Sequence, residues 1–111
     1  MNKGVAKGDF LSKFLVLYRS PVSAREQMAN ATPEQAQAGM KAWQAWAEGA
    51  GSAIVDLGAP LDGEGDVTGF SILEAGSRVS VDELLADHPH RHTPGASIDV
   101  LEFMAMPGME G

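Results

Sequence analysis

Apolar residues fall along this chain in short blocks separated by proline, glycine and charged residues, and these blocks predict alternating strands and helices. The first block runs from Phe14 to Tyr18 and is stopped by Pro21. So short a run without polar alternation is typical of a strand that is buried on both faces. Residues 1–12 show no period and predict a loose lead-in.

The next block predicts a helix over residues 33–49. Thr32 is a good N-cap, Pro33 occupies the first helical position, and Gln35 completes a capping-box pattern with Thr32. Apolar residues then recur at helical spacing and predict the face that packs on the sheet. This stripe consists of Ala36, Met40, Trp43, Ala47 and Ala50.

Three further blocks are rich in strand-forming residues. "SAIVDLGAP" and "VTGFSILEA" predict a β-hairpin across an acidic, glycine-rich loop. "ASIDVLEFMAM" predicts the last strand, and its apolar residues occupy both odd and even positions. It therefore also reads as a strand covered on both faces.

A second helix is predicted in "SVDELLADHP", between the hairpin and the last strand. Ser80 and Glu83 form a second capping-box pattern, and Pro89 ends the helix because the residue before a proline resists the α conformation. The order is β-α-β-β-α-β, which predicts an α+β, ferredoxin-like fold with a four-stranded antiparallel sheet and two helices on one face.

Two helices cover only one face of such a sheet. The first, third and last strands nevertheless carry apolar residues at both odd and even positions, and therefore on both faces of the sheet. The missing cover is most simply a second copy packed face to face, so we expect a homodimer that associates through the open face of the sheet. The predicted domain spans residues 13–106 and leaves residues 107–111 as a C-terminal tail.

Composition excludes several classes of function. The 111 residues carry 15 acidic and 8 basic side chains, and a formal charge of −7 disfavours nucleic-acid binding. Cysteine is absent, which excludes disulfides and thiol nucleophiles and fits a reducing, cytoplasmic location. We expect no secretory signal and no association with a membrane, because no apolar run approaches the ~20 residues of a span. Motifs typical of nucleotide-dependent enzymes and serine hydrolases are also absent.

All three histidines lie within five residues, at His88, His90 and His92. This spacing places imidazoles on one side of an extended segment, which raises the possibility of a metal site. Three ligands from five consecutive residues are strained for tetrahedral zinc, and Arg91 adds positive charge among them. We therefore expect no metal and no cofactor.

Acid–base chemistry is the other use of this segment. A histidine with a near-neutral pKa takes a proton from a small substrate, while an arginine clamps a carboxylate or enolate oxygen. The structural alternative is that His88 caps the second helix and Arg19 pairs with an acidic neighbour. For Trp46 the alternatives are the border of a pocket and simple packing. The candidate catalytic residues are His88, Asp87 and His90, and the candidate substrate-binding residues are Tyr18, Arg19 and Trp46.

The strings "KFLVLYRSP", "GFSILEA" and "ADHPHRHTPGASIDVLEFM", with the tryptophan-containing first helix, resemble the YCII-related family over about residues 13–106. The resemblance implies a small dimeric α+β barrel, similar to muconolactone isomerase-like proteins. In typical members a histidine of the first βα unit faces the aspartate of an Asp-Pro dipeptide after the second helix. Here no histidine precedes His88, and His88-Pro89 stands where the family has Asp-Pro.

Two functions remain open from the sequence. One is a cofactor-free enzyme that performs isomerase- or lyase-type acid–base chemistry on a small anionic metabolite. The other is a non-catalytic dimeric module that binds a ligand or another protein. The missing first histidine favours the second function, and the histidine-rich segment favours the first.

Overall fold

The computed structural model describes residues 11–63 and 65–104. Four strands are formed, namely β1 (Ser12–Arg19), β2 (Ile54–Pro60), β3 (Val67–Ala75) and β4 (Ser97–Glu102). Three helices are formed, namely α1 (Ala24–Asn30), α2 (Pro33–Ala50) and α3 (Arg78–Leu85). Two short 3-10 segments, Gly51–Ala53 and Pro89–His92, precede β2 and β4. The predicted C-terminal tail and all but residues 11 and 12 of the predicted lead-in lie outside the described residues.

The strands form one antiparallel sheet in the order β2-β3-β1-β4. The two central strands are therefore β3 and β1, and the last strand of the chain pairs beside the first. This is the ferredoxin-like arrangement, so the fold class predicted from the order of elements is confirmed.

Strand β1 alternates in burial, which defines the two faces of the sheet. Its side chains at Phe14, Val16 and Tyr18 are buried against the helices. Leu15 and Leu17 lie on the opposite, open face and are only half-buried. The core on the helix side consists of Phe14, Val16, Tyr18, Leu73, Ala75, Val81 and Leu85.

The capping box predicted for α2 is present. The Thr32 hydroxyl accepts from the Gln35 backbone N–H at 3.1 Å, and the Gln35 side chain accepts from the Thr32 N–H at 2.9 Å. Trp43 packs against the core and Ala47 and Ala50 are half-buried, but Ala36 and Met40 are exposed. The prediction that the stripe packs on the sheet was therefore wrong for Ala36 and Met40. These two residues line a pocket, because the N-terminal half of α2 lies over it and not on the sheet.

Helix α3 begins earlier than predicted. Its N-cap is Ser77, whose hydroxyl accepts from the Ser80 N–H at 3.2 Å, so the predicted N-cap at Ser80 was wrong and that residue lies in the first turn. Helix α1 was not predicted, because none of its seven residues is buried and it therefore has no apolar stripe. Within the described ranges, no helix combines the length and the apolar character needed to cross a bilayer.

Candidate functional site

A pocket of about 620 Å³ lies between α1, α2, the β2–β3 hairpin and the 3-10 segment Pro89–His92. Its large apolar side chains include Met28, Met40 and Trp43. Its polar groups are side chains of glutamine, threonine, tyrosine and histidine, and no described residue that lines it carries a carboxylate, an ammonium or a guanidinium group. The polar lining residues are Tyr18, Gln27, Gln35, Thr68, His90 and Thr93.

His90 is the titratable imidazole in the wall of this pocket. Its side chain is largely buried, and its Nε2 lies 2.8 Å from the backbone carbonyl oxygen of Arg19. A carbonyl oxygen only accepts, so Nε2 carries the proton and donates it to this bond. In the neutral ring, Nδ1 therefore holds a lone pair.

His88 lies behind His90 and is fully buried. Its Nδ1 accepts a hydrogen bond of 3.0 Å from the His90 backbone N–H, and its Nε2 has no hydrogen-bond partner among the described residues. Burial, with a smaller contribution from the charges of His90 and Arg91, lowers the pKa of His88 from 6.5 to about 3. His88 is therefore uncharged at pH 7. Its pKa lies well below the value near 7 that is expected of an acid–base histidine.

Aromatic rings enclose His88. The ring of Tyr18 stacks on it at 4.8 Å, and the rings of Trp43 and Trp46 each meet it at 4.4 Å and steep angles. We call Tyr18, Trp43 and Trp46 the aromatic cage. The cage covers the His88 ring, and His88 is not part of the pocket lining.

Tyr18 belongs both to the cage and to the pocket wall. Its hydroxyl donates to the Ser71 hydroxyl at 2.9 Å, which in turn donates to the carbonyl oxygen of Leu57 at 2.6 Å. Burial raises the pKa of Tyr18 to about 12, so the phenol stays protonated near neutral pH.

The guanidinium of Arg19 lies on the open face of the sheet, away from the pocket. Its Nε donates to Asp99 at 2.5 Å and its Nη1 donates to Asp66 at 2.6 Å. These two hydrogen bonds raise the pKa of Arg19. Only the backbone carbonyl of Arg19 reaches the site, through its bond to His90.

The remaining candidates lie outside the pocket lining. Asp87 and His92 are exposed. Trp46 donates its indole N–H to the carbonyl oxygen of Leu84 at 2.8 Å and packs behind Trp43. The structure thus brings together the rings of His88, His90 and Tyr18, whereas Asp87 is exposed and the Arg19 side chain pairs with Asp66 and Asp99. Within the part of the chain that the structure describes, no group of three or more histidine, aspartate or glutamate residues is arranged to hold a metal ion.

Sequence reasoning missed two features of the site. Trp43 was assigned to the core, but it also lines the pocket. Met28 received no role, because helix α1 was not predicted and nothing in the local pattern indicates that this residue lines a pocket.

The fold and the pocket together define a small ferredoxin-like α+β protein with one imidazole in the wall of a mainly apolar cavity. A solved structure with this fold is 5-chloro-2-hydroxyhydroquinone dehydrochlorinase (TftG) from Burkholderia phenoliruptrix AC1100, in complex with 2,5-dihydroxybenzoquinone. The two chains are 23% identical with a TM-score of 0.56, and the match covers 86% of this chain and 96% of the other. No family model and no curated protein matches the sequence, so the YCII-related resemblance stays a prediction while the shared fold is established.

Proposed function

We propose that this protein is a cofactor-free enzyme of isomerase or lyase type, which uses His90 as a general base on a small molecule bound in the pocket. The observation that carries the proposal is the orientation of His90. Its Nε2–H is bound to the Arg19 carbonyl, which leaves Nδ1 as the acceptor of a substrate proton. The shared fold with a dehydrochlorinase supports the reaction class by analogy.

The pocket favours a planar, mainly apolar substrate that carries an acidic hydroxyl. Aromatic and thioether side chains at Trp43, Met28 and Met40 offer contact surface, while the amides of Gln27 and Gln35 offer hydrogen bonds. An anionic metabolite was expected because Arg19 was expected to anchor it, but the Arg19 guanidinium binds Asp66 and Asp99. In this proposal the anion forms in the pocket, when the hydroxyl gives its proton to His90.

The proposed assembly is a homodimer formed through the open face of the sheet. Register places Leu15 opposite Ile72 and Leu101, and Leu17 opposite Phe70, so these side chains form one apolar patch. Leu101 is 53% exposed in a single chain, and a second copy of the same patch would cover it.

The test of the base uses 2,5-dihydroxybenzoquinone, the molecule bound to TftG, as a probe. Calorimetry measures its affinity for the wild type and for His90→Gln, which keeps a donor for the Arg19 carbonyl but has no base. We expect the variant to bind about tenfold or more weakly, since it loses a charge-assisted hydrogen bond. His92→Gln is the matched control, because His92 is exposed and outside the pocket lining.

Imidazole nitrogen NMR gives the second readout, because Nδ1 of His90 should gain a proton when the probe binds to the wild type. Equal affinity of wild type and His90→Gln would contradict the assignment of His90. Tight binding of the probe, without turnover of chlorinated or hydroxylated hydroquinones, would favour the ligand-binding module over the enzyme.

A further inference from the structure

We propose that His88 is a positioning residue: its Nδ1 fixes His90 by accepting a hydrogen bond from the His90 backbone N–H, while its ring fills the aromatic cage. This inference deepens the proposed function, because it rests on His90 as the group that meets the substrate. It assigns to His88 a role that needs neither contact with the substrate nor transfer of a proton.

The first step is the capping geometry. His88 is the N-cap of the 3-10 segment Pro89–His92, and its Nδ1 accepts from the His90 N–H at 3.0 Å. The ends of the segment are also held by two backbone bonds, from the Arg91 N–H to the His88 carbonyl and from the Thr93 N–H to the His90 carbonyl. So short a segment has few bonds to hold it, and the cap is therefore a large part of what fixes its backbone.

The second step is the fixation of His90 at two points. The backbone N–H of His90 is held by His88, and the ring Nε2 is held by the Arg19 carbonyl. With both ends fixed, the imidazole has one orientation in the pocket wall. Loss of either bond would let the Nδ1 atom move away from a bound hydroxyl.

The third step is the protonation state of His88. Since Nδ1 accepts, the proton of the neutral ring is on Nε2, and this N–H is buried without a partner among the described residues. An unpartnered buried N–H destabilises a fold, and the neighbouring rings of the cage offer at most a weak N–H···π contact. Phenylalanine would fill the cage without this cost but could not accept from His90. Asparagine would cap the segment but could not fill the cage. Histidine does both.

Two substitutions separate these roles. His88→Phe keeps a ring in the cage and removes the acceptor, whereas His88→Asn keeps an acceptor and removes the ring. Three quantities are measured for each: hydrogen exchange of the His90 amide, the NMR resonance of the His90 Nε2–H proton, and the affinity for 2,5-dihydroxybenzoquinone. The amide of Val16, in the core of β1, reports global opening in the same spectra.

In His88→Phe we expect the His90 amide to exchange about tenfold faster than in the wild type, as loss of an N-cap implies. We also expect its Nε2–H resonance to broaden and probe affinity to fall, while the Val16 amide stays protected. In His88→Asn we expect the protection of His90 relative to Val16 and the affinity to remain near the wild-type values, despite lower global stability. If His88→Phe does not fold, His88→Leu replaces it as the variant that lacks an acceptor.

The opposite pattern would overturn the inference. If His88→Phe behaves as the wild type and His88→Asn loosens His90, then His88 acts only by packing. Failure of this inference can also be distinguished from failure of the proposed function. If His90→Gln leaves probe affinity unchanged while His88→Phe still releases the His90 amide, the base assignment fails and the positioning role stands.

Discussion

Lowering the pH from 7 to 5 should destabilise the folded protein by about 2 kcal/mol through one residue, His88. The pKa of this histidine is 6.5 in an unfolded chain and about 3 in the folded protein, where burial disfavours the charged ring. Between these two values the unfolded chain binds a proton at His88 and the folded chain does not. Stability from the neutral ring is therefore fully present above pH 6.5 and is lost progressively as the pH falls toward 3. A pH of 5 lies about 1.5 units below the pKa of the unfolded chain, and each unit lowers the free energy of the unfolded state by about 1.4 kcal/mol.

The assay is urea unfolding at pH 7 and pH 5, followed by tryptophan fluorescence at one fixed protein concentration. Trp43 and Trp46 both contact His88, so their emission reports the environment in question. His88→Asn has no titrating ring, and it should lose about 2 kcal/mol less between the two pH values than the wild type. His92→Gln is the matched control, because its histidine is exposed, and it should keep the wild-type drop. An equal drop in the free energy of unfolding in the wild type and in His88→Asn would refute the reasoning. It would show that the folded protein already carries a protonated His88 at pH 5.

Three further predictions concern the backbone, a helix cap and the open face. Gly58→Ala should destabilise the fold by about 3 kcal/mol or more, because Gly58 has φ +91° and a Cβ there would lie 1.6 Å from the Phe70 carbonyl oxygen. Gly49→Ala, in α2 with open space around it, should instead be neutral or stabilise by up to about 1 kcal/mol in the same urea assay. Thr32→Ala removes a capping-box hydroxyl and should cost about 1 kcal/mol, whereas Thr32→Ser should restore most of the loss. Leu17→Glu places a charge on the open face, and light scattering should then give 11.7 kDa where the wild type gives about twice that mass. A wild type that is already monomeric would contradict the proposed dimer.

The positions of the strands and of α2 were predictable because their signals are local. Five consecutive apolar or aromatic residues from Phe14 to Tyr18 do specify a strand, and the Thr32–Gln35 capping box does specify where α2 begins. Helix α1 was missed because none of its residues is buried, and hydrophobic periodicity is the main signal by which a helix is detected. The start of α3 was misplaced because Ser77 and Ser80 both have cap chemistry, and only the backbone decides between them.

The candidate site was predictable only as a group of residues. The sequence indicates that Tyr18 and the histidine segment approach each other, since the order of strands places β1 beside β4. It does not give the direction of each side chain. Arg19 follows Tyr18, so its side chain points to the other face of the sheet and binds Asp66 and Asp99 there. Likewise, the sequence made both His88 and His90 candidate catalytic residues, whereas their burial and contacts in the fold differ.

By itself, then, the sequence determined the order of the four strands and of helices α2 and α3, the antiparallel ferredoxin-like sheet and the presence of an imidazole cluster before β4. These properties follow from periodicity, capping and chain order, which act over a few residues. Only the tertiary structure decided which histidine lines the pocket and which lies in the aromatic cage. That decision depends on contacts between residues some 70 positions apart, such as the bond from His90 to the Arg19 carbonyl, and local sequence does not encode such contacts.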